Sequence, residues 1–434
     1  MKLTIGTFPV HRIEAAQHTA WEDGVLFINT NELRKLILDD DVFDYVAIEV
    51  VYPGEKTRII HVIDAVEPRI KVEGPSCCFP GFLGPARTVG SGSTHRLAGM
   101  AVLGIVLGID VPSGAETGVL EFNEGFIDMS GAAEKYCTCS NTINVCLCFT
   151  VRKNCSHIES DSSIRLATLK TADYLAKCTV GLKPVDQTLY HLPPVDNDLP
   201  RFAYINQIQS QGFLCRTFLY GSPMESYFTP TLLHPNELLD GAVVSSNYRS
   251  ALKACTFLQQ NNHVALELLK RHGKDVNFVG QIIGRGHFDD FQAKERQGQY
   301  AAKLASLLGV QAAVLTIEGG GNANVDYMAT VRALELSNIC AVPIVHEWGG
   351  TKGDEQPLLD VVPEAVSMVS GGGIDRLIEV PRVDRIVGGD RMKLTDATSG
   401  VKEVDASSSF LTNSYNLYCA FWQMQISGIA AQDY

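Results

Sequence analysis

No apolar run in the 434 residues approaches the roughly 18 that a membrane-spanning helix needs, so no membrane association is expected. No basic run interrupts a balance of 36 Lys and Arg against 49 Asp and Glu. A chain of net charge −13 therefore lacks the electrostatic footprint of nucleic-acid binding. The stretch MKLTIGTFPVHRIEAAQH has no apolar segment of secretory length, so a cytoplasmic location is expected. Zinc-type cysteine spacing is missing too. Cys137, Cys139, Cys146 and Cys148 form two C-x-C pairs, not the wider pairs that zinc sites prefer, and no metal is expected. There is no internal repeat and no low-complexity tract.

What is present suits a globular chain: 45% apolar residues and 20% charged ones. At about 150 residues per domain, 434 residues suggest two cores. The twelve cysteines read as thiols, since a chain of this size needs no disulfide scaffold. TINVCLCF alternates so that Cys146 and Cys148 share one strand face, as small core side chains do.

The segment DQTLYHLPPVDNDLPR (186–201) has three prolines and no helical or strand period, so it reads as an exposed connection. This predicts a mixed α+β domain over 1–190 and an α/β domain over 200–434 that includes a C-terminal extension. In the first half, VAIEVVYPG and TRIIHVIDAVEPRIKVEG look like neighbouring strands, and SSIRLATLKTADYLAKC (162–178) has helical spacing. In the second half, GAVVS (241–245), NFVGQIIG (277–284), QAAVLTIEGG (311–320) and NICAVPIVHEW (338–348) are strand-like. Helical stretches alternate with them. In one, QAKERQGQYAAKLASLLG, the residues Tyr300, Ala301, Leu304, Leu307 and Leu308 lie at helical spacing. The alternation predicts a doubly wound parallel sheet with helices on both faces.

In such a sheet ligands bind outside the carboxyl ends of the strands. That rule gathers Ser245, Ser246, Asn247 and Tyr248, then EGGGNANVD (318–326), HEWGGTKGDE (346–355) and SGGG (370–373). Gly319, Gly320 and Gly321 let backbone amides approach a ligand. With Glu318 and Asn322 they open a helix whose positive end suits a carboxylate. His346 and Glu347 are the material of general acid and base catalysis, although consecutive strand residues point to opposite faces. TVGSGSTHRLAG (88–99) offers Ser91, Thr94 and His95 in a glycine-containing loop.

These segments also carry a resemblance. DAVEPRIKVEG (64–74), FPGF (79–82), TVGSGSTH (88–95), GFIDMSG (125–131), TINVCL (142–147), PTLLHPNELLDGAVVSSN (230–247), KRHGKDVNFVG (270–280) and EGGGNANVD follow one another as in a known family. The chain resembles the proprotein of the α and β subunits of component B in glycine, sarcosine and betaine reductases, more distantly that of D-proline reductase. In that family an Asn-Cys bond cleaves itself, and the cysteine becomes a pyruvoyl group that takes a substrate amine as a Schiff base. A selenocysteine or cysteine of the partner subunit then attacks. The resemblance implies reductive C–N cleavage of a small carboxylate-containing amine in a hetero-oligomer.

The family's Asn-Cys pair falls on Asn247-Tyr248, and a phenol cannot perform the N-to-S acyl shift. No pyruvoyl cofactor is therefore expected, and Asn247 and Tyr248 become binding or proton-transfer groups. Cys255 follows Ala254 in a stretch expected to be helical and is not expected to substitute. A serine-derived group at Ser245 or Ser246 is the weaker alternative. A non-catalytic scaffold or ligand-binding homologue is the competing reading.

Overall fold

The computed structural model describes residues 1–107, 125–195, 198–212, 215–248, 253–396 and 400–420. One six-stranded sheet organises the second half. Its strand order is Thr231–Leu233, Asn277–Arg285, Arg201–Ile208, Ala312–Ile317, Cys340–Glu347 and Val369–Gly373. All neighbours are parallel except the first pair. The side chains of Ala203 and Ile205 join the cluster under helices Phe291–Leu307 and Asn322–Leu336. Tyr204 and Ile208 join the opposite cluster, with Val264 and Leu268 of helix His263–Arg271. Helices thus cover both faces, as the alternation predicts.

The sheet departs from expectation in three places. Its central strand, Arg201–Ile208, carries no recognisable apolar run because Asn206 and Gln207 are buried within it. Thr316 Oγ1 donates to the Asn206 amide oxygen at 3.0 Å, and the Gln207 amide nitrogen donates to the Ala323 carbonyl at 3.0 Å. Val243–Ser245 lies outside the parallel sheet and pairs antiparallel with Thr217–Leu219 in a small three-stranded one. SGGG is strand rather than loop, since Val369–Gly373 is the sheet edge.

Helix Phe291–Leu307 buries Ala293, Gly298, Ala301, Ala302 and Ala305, while Leu307 stays 75% exposed. The reason is the closeness of helix Asn322–Leu336. A Cβ on Gly298 would lie 2.7 Å from the Ala329 carbonyl oxygen, so only the small face fits there.

The first half holds two four-stranded mixed sheets. One runs Asp186–His191, Lys2–Pro9, Gly92–Ala98, Arg69–Glu73, and the other Phe43–Val51, Ile143–Val151, Met100–Leu107, Val62–Val66. Helix His157–Ala176 packs on them through Ile164, Leu169 and Leu175. Asp186–His191, read from sequence as part of a connection, is an edge strand paired with Lys2–Pro9. None of its six residues is fully buried, so no apolar alternation marks it. Within the expected C-terminal extension, the described residues form small antiparallel pairs such as Leu377–Val380 with Phe410–Asn413. Residues 421–434 lie outside the described residues. Among the described residues no helix is long and apolar enough to cross a membrane.

The end of the chain returns to the first half, where Arg385–Val387 pairs parallel with Thr57–Ile59. Arg58 locks this return. Its Nε donates to Asp128 Oδ1 at 2.6 Å, one terminal nitrogen to Asp128 Oδ2 at 3.0 Å, and the other to the Ala406 carbonyl at 2.6 Å. The rings of Phe126 and Phe410 flank the guanidinium at 5.3 and 4.8 Å. Both charged side chains are fully buried, so removing one strands the other. Asp128→Ala is expected to cost about 3–5 kcal/mol, measured as the denaturant midpoint at unchanged slope.

Candidate functional site

The loops leaving the four inner strands of the six-stranded sheet converge on a cavity of about 220 Å³. Gln209 and Gln211 follow the strand Arg201–Ile208, His287 follows Asn277–Arg285, and Gly319, Gly320 and Gly321 follow Ala312–Ile317. Trp348 follows Cys340–Glu347, and Asn247, Lys253, Cys215 and Tyr415 close the cavity from the other side. The glycines are required here. A Cβ on Gly319 would lie 2.2 Å from His287 Nε2, and one on Gly320 2.5 Å from the Trp348 ring. Gly319 and Gly321 also have φ of 82° and 62°, which favour glycine. The Trp348 indole N–H is buried without a hydrogen-bond partner among the described residues, and its ring lies 5.8 Å from Tyr415.

Beneath the glycines Glu318 is fully buried and accepts from four donors. Gln209 N–H reaches Oε2 at 3.0 Å and Lys253 Nζ at 3.4 Å, while Gln259 Nε2 reaches Oε1 at 2.8 Å and Ala254 N–H at 3.4 Å. Burial pushes its carboxyl above the usual range, and Lys253 opposes that. Lys253 is buried too, and its ammonium also donates to Thr217 Oγ1 at 2.5 Å and Ser245 Oγ at 2.7 Å.

The segment that sequence reasoning singled out is bound into this network. Ser245 Oγ donates to the Ala254 carbonyl at 2.7 Å, and Ser245 N–H to Thr256 Oγ1 at 2.9 Å. Thr256 in turn donates to both oxygens of Asp64. Burial raises the Asp64 carboxyl well above its ordinary value. Ser246 Oγ donates to the Arg216 carbonyl at 3.1 Å. Asn247 is fully buried, with its N–H on the Ile63 carbonyl at 2.7 Å and its amide on the Lys253 carbonyl at 3.1 Å. Tyr248 is 4% exposed and sits in an apolar cluster with Phe218 and Val244, off the cavity wall. Cys255 is not inside a helix. It caps the helix Thr256–Gln260 with φ −84° and ψ 172°.

The remaining expected residues lie elsewhere. Thr94 Oγ1 donates to Asp240 Oδ1 at 2.6 Å, in a buried knot with Lys71 and the Gly90 N–H. His95 Nδ1 sits 3.1 Å from the Thr179 carbonyl, and burial lowers its pKa. Ser91 is half-buried near them. None of the three lines the cavity. Asn322 Nδ2 donates to the Phe288 carbonyl at 3.2 Å, at the start of helix Asn322–Leu336. His346 lies below Trp348, at 6.2 Å between rings, and Glu347 is half-buried on the opposite strand face. Neither lines the cavity. Gln209, Gln211, Lys253, His287 and Tyr415 were not singled out from sequence, whereas Trp348 lies in the stretch 346–355 expected at the rim. GRGHFDD, following a recognisable strand, could have flagged His287. Lys253 and Tyr415 follow no strand of the parallel sheet, so the rim rule does not reach them.

The chemistry on offer is a small chamber lined by the side chains of Gln209, Gln211, Asn247, Lys253 and His287 with an aromatic wall of Trp348 and Tyr415. That suits a compact ligand with a carboxylate. Burial lowers the His346 pKa to about 4. Between its unfolded pKa, about 6.5, and the folded value the unfolded chain binds the extra proton, so stability falls as pH drops through this window. The loss from this group is expected to total about 3 kcal/mol. His346→Asn is expected to flatten the corresponding part of a chemical-denaturation profile between pH 7 and 4.

The description "Glycine/sarcosine/betaine reductase component B subunits" fits a family model that matches residues 1–431. The chain is 35% identical over 397 residues to the sarcosine reductase complex component B subunit alpha of Peptoclostridium acidaminophilum, covering 89% of each chain. It is 33% identical over 407 residues to the glycine reductase complex component B subunits alpha and beta of Acetoanaerobium sticklandii, covering 92% of each. It is also 33% identical to the betaine reductase complex component B subunit alpha of P. acidaminophilum, covering 92% of this chain and 90% of that one. No solved structure matches. The chain therefore belongs to the family of glycine/sarcosine/betaine reductase component B subunits.

Proposed function

We propose that this chain is the substrate-binding subunit of a component B-like complex and that it works without a pyruvoyl group. It takes a small carboxylate-containing amino-acid derivative into the cavity, and a separate cysteine- or selenocysteine-bearing subunit carries out the reductive C–N cleavage. The observation that carries this reading is the cavity lined by Lys253, which Glu318 backs from behind, and by Asn247, at the position where the family's cleavage pair falls. Tyr248 supports the absence of an electrophile there, because its side chain is packed into a core and a phenol starts no acyl shift.

A second reading has a specific observation in its favour. The carbonyl of Ala254, immediately before Cys255, accepts from Ser245 Oγ at 2.7 Å, and Lys253 backs that hydroxyl at 2.7 Å. These donors would stabilise the oxyanion formed if the Cys255 sulfur attacked that carbonyl carbon. In such a chain the N-to-S shift and cleavage occur at Ala254–Cys255, seven residues beyond the expected position.

Intact mass decides between the two. The first reading expects one chain near 47.3 kDa, and the second expects fragments 1–254 and 255–434. With the partner added, dithiol-dependent turnover of glycine, sarcosine or betaine is the expected outcome, and Lys253→Met is expected to lower ligand affinity at least tenfold by calorimetry. Ligand binding with no turnover in the assembled pair would instead identify a non-catalytic scaffold.

A further inference from the structure

A groove of about 720 Å³ runs between the edge strand Asp186–His191 and helix His263–Arg271, and it shares no residue with the chamber of Lys253 and Trp348. Its walls come from opposite halves of the chain, and hydrogen bonds fix one to the other. The Phe278 N–H donates to His272 Nδ1 at 3.1 Å, which leaves the ring proton on Nε2 to donate to the Pro193 carbonyl at 2.9 Å. The Asn236 amide donates to the Tyr190 carbonyl, also at 2.9 Å.

Helical spacing decides what the second wall presents. His263, Leu266, Glu267 and Lys270 recur at three and four residues and so form one face along the groove. Leu266 and Leu269 pack with Tyr190 against Leu3, Ile5 and Leu239, which makes the floor apolar. The His272–Pro193 bond brings the later ends of strand and helix together, so His191, Lys270 and Lys274 gather at one end. His263 stands at the other end, about 10 Å away along the helix axis.

The charge of the groove runs against that of the chain, which is −13 overall. Glu267 is the one carboxylate on its walls, and Lys270 at 3.5 Å and Arg271 at 3.6 Å already pair with it. Lys274 has no ion-pair partner among the described residues. Burial holds the His263 imidazole below its ordinary pKa, so at neutral pH it is an uncharged hydrogen-bonding group.

We propose that this groove is a second binding site, for an elongated amphipathic carboxylate or phosphate whose head lies at Lys270 and Lys274 and whose apolar body covers Leu266, Leu269 and Tyr190. The volume falls within the roughly 300–1,000 Å³ of small-molecule sites, which also favour seams between domains. A bare inorganic anion would leave the apolar floor in water, and an uncharged hydrocarbon would leave Lys274 unused. A second copy docked groove to groove would set the same lysines against each other.

The test is calorimetric titration of the full chain with decanoate and decyl phosphate below their micelle concentrations. Butyrate, inorganic phosphate and decyltrimethylammonium are the comparisons. Decanoate is expected to bind one-to-one and roughly tenfold or more tightly than butyrate, because its added methylenes reach the floor. Inorganic phosphate is expected to bind as weakly as butyrate, the cation not at all, and added salt to weaken both decyl anions. The tighter of the two identifies the head. Lys270→Gln with Lys274→Gln, at exposed positions, is expected to weaken both at least tenfold at an unchanged denaturant midpoint. Decanoate that binds no tighter than butyrate, or that the double variant binds equally well, overturns the proposal. So does displacement of decanoate by betaine, which would place it in the Lys253 chamber. A dimer that the double variant dissociates also overturns it, since the groove would then be an interface between copies.

Discussion

The buried pairing of Lys253 with Glu318 is the constraint on which the site is built. Neither charge reaches solvent, and a lone buried charge would be costly, so each must be satisfied by the protein. Glu318 collects the Gln209 N–H, the Gln259 amide, the Ala254 N–H and the Lys253 ammonium, and thereby joins two parallel strands to the segment that follows Asn247. Lys253 collects the hydroxyls of Thr217 and Ser245 from the small antiparallel sheet. The cavity is the space left above this knot, and its walls hold their positions because the knot does.

The same network explains why the segment 245–256 matters beyond binding. It brings a serine hydroxyl to a backbone carbonyl and sets a cysteine at a helix cap. Carbonyl polarisation thereby becomes available next to that cysteine. Donors held in a buried polar network and aimed at one carbonyl are what chemistry at that atom needs. Asn247 links the two arrangements, with one amide N–H group on the Lys253 carbonyl and the Cys419 sulfur.

The two halves of the chain are not independent supports for this site. Asp64, from a strand of the first half, holds Thr256, and Ile63 accepts the Asn247 N–H. Lys71 and Thr94 hold Asp240 just before the Val243–Ser245 strand. Thr94 and the Gly90–Gly92 turn thus act in assembly rather than at the cavity. A Cβ at Gly92 would lie 2.1 Å from the Glu73 carbonyl oxygen, which accounts for one glycine of that turn. Arg58, paired with Asp128, holds the Ala406 carbonyl and so ties the later part of the chain to the first half.

The sequence by itself determined the alternation that makes a parallel sheet, because short β-branched runs and helical spacing are local properties of the chain. It also determined the glycine rim at 319–321 and, through motif order, the family. It could not reveal the central strand Arg201–Ile208, whose buried Asn206 and Gln207 look like solvent residues until Thr316 and Ala323 stand beside them. Nor could it separate Asn247, which lines the cavity, from Tyr248, which is turned into a core. Lys253 reads as an ordinary surface lysine. Its burial was decided only when the fold placed Glu318, 65 residues away, beside it, since a charge enters a protein interior where a distant partner satisfies it.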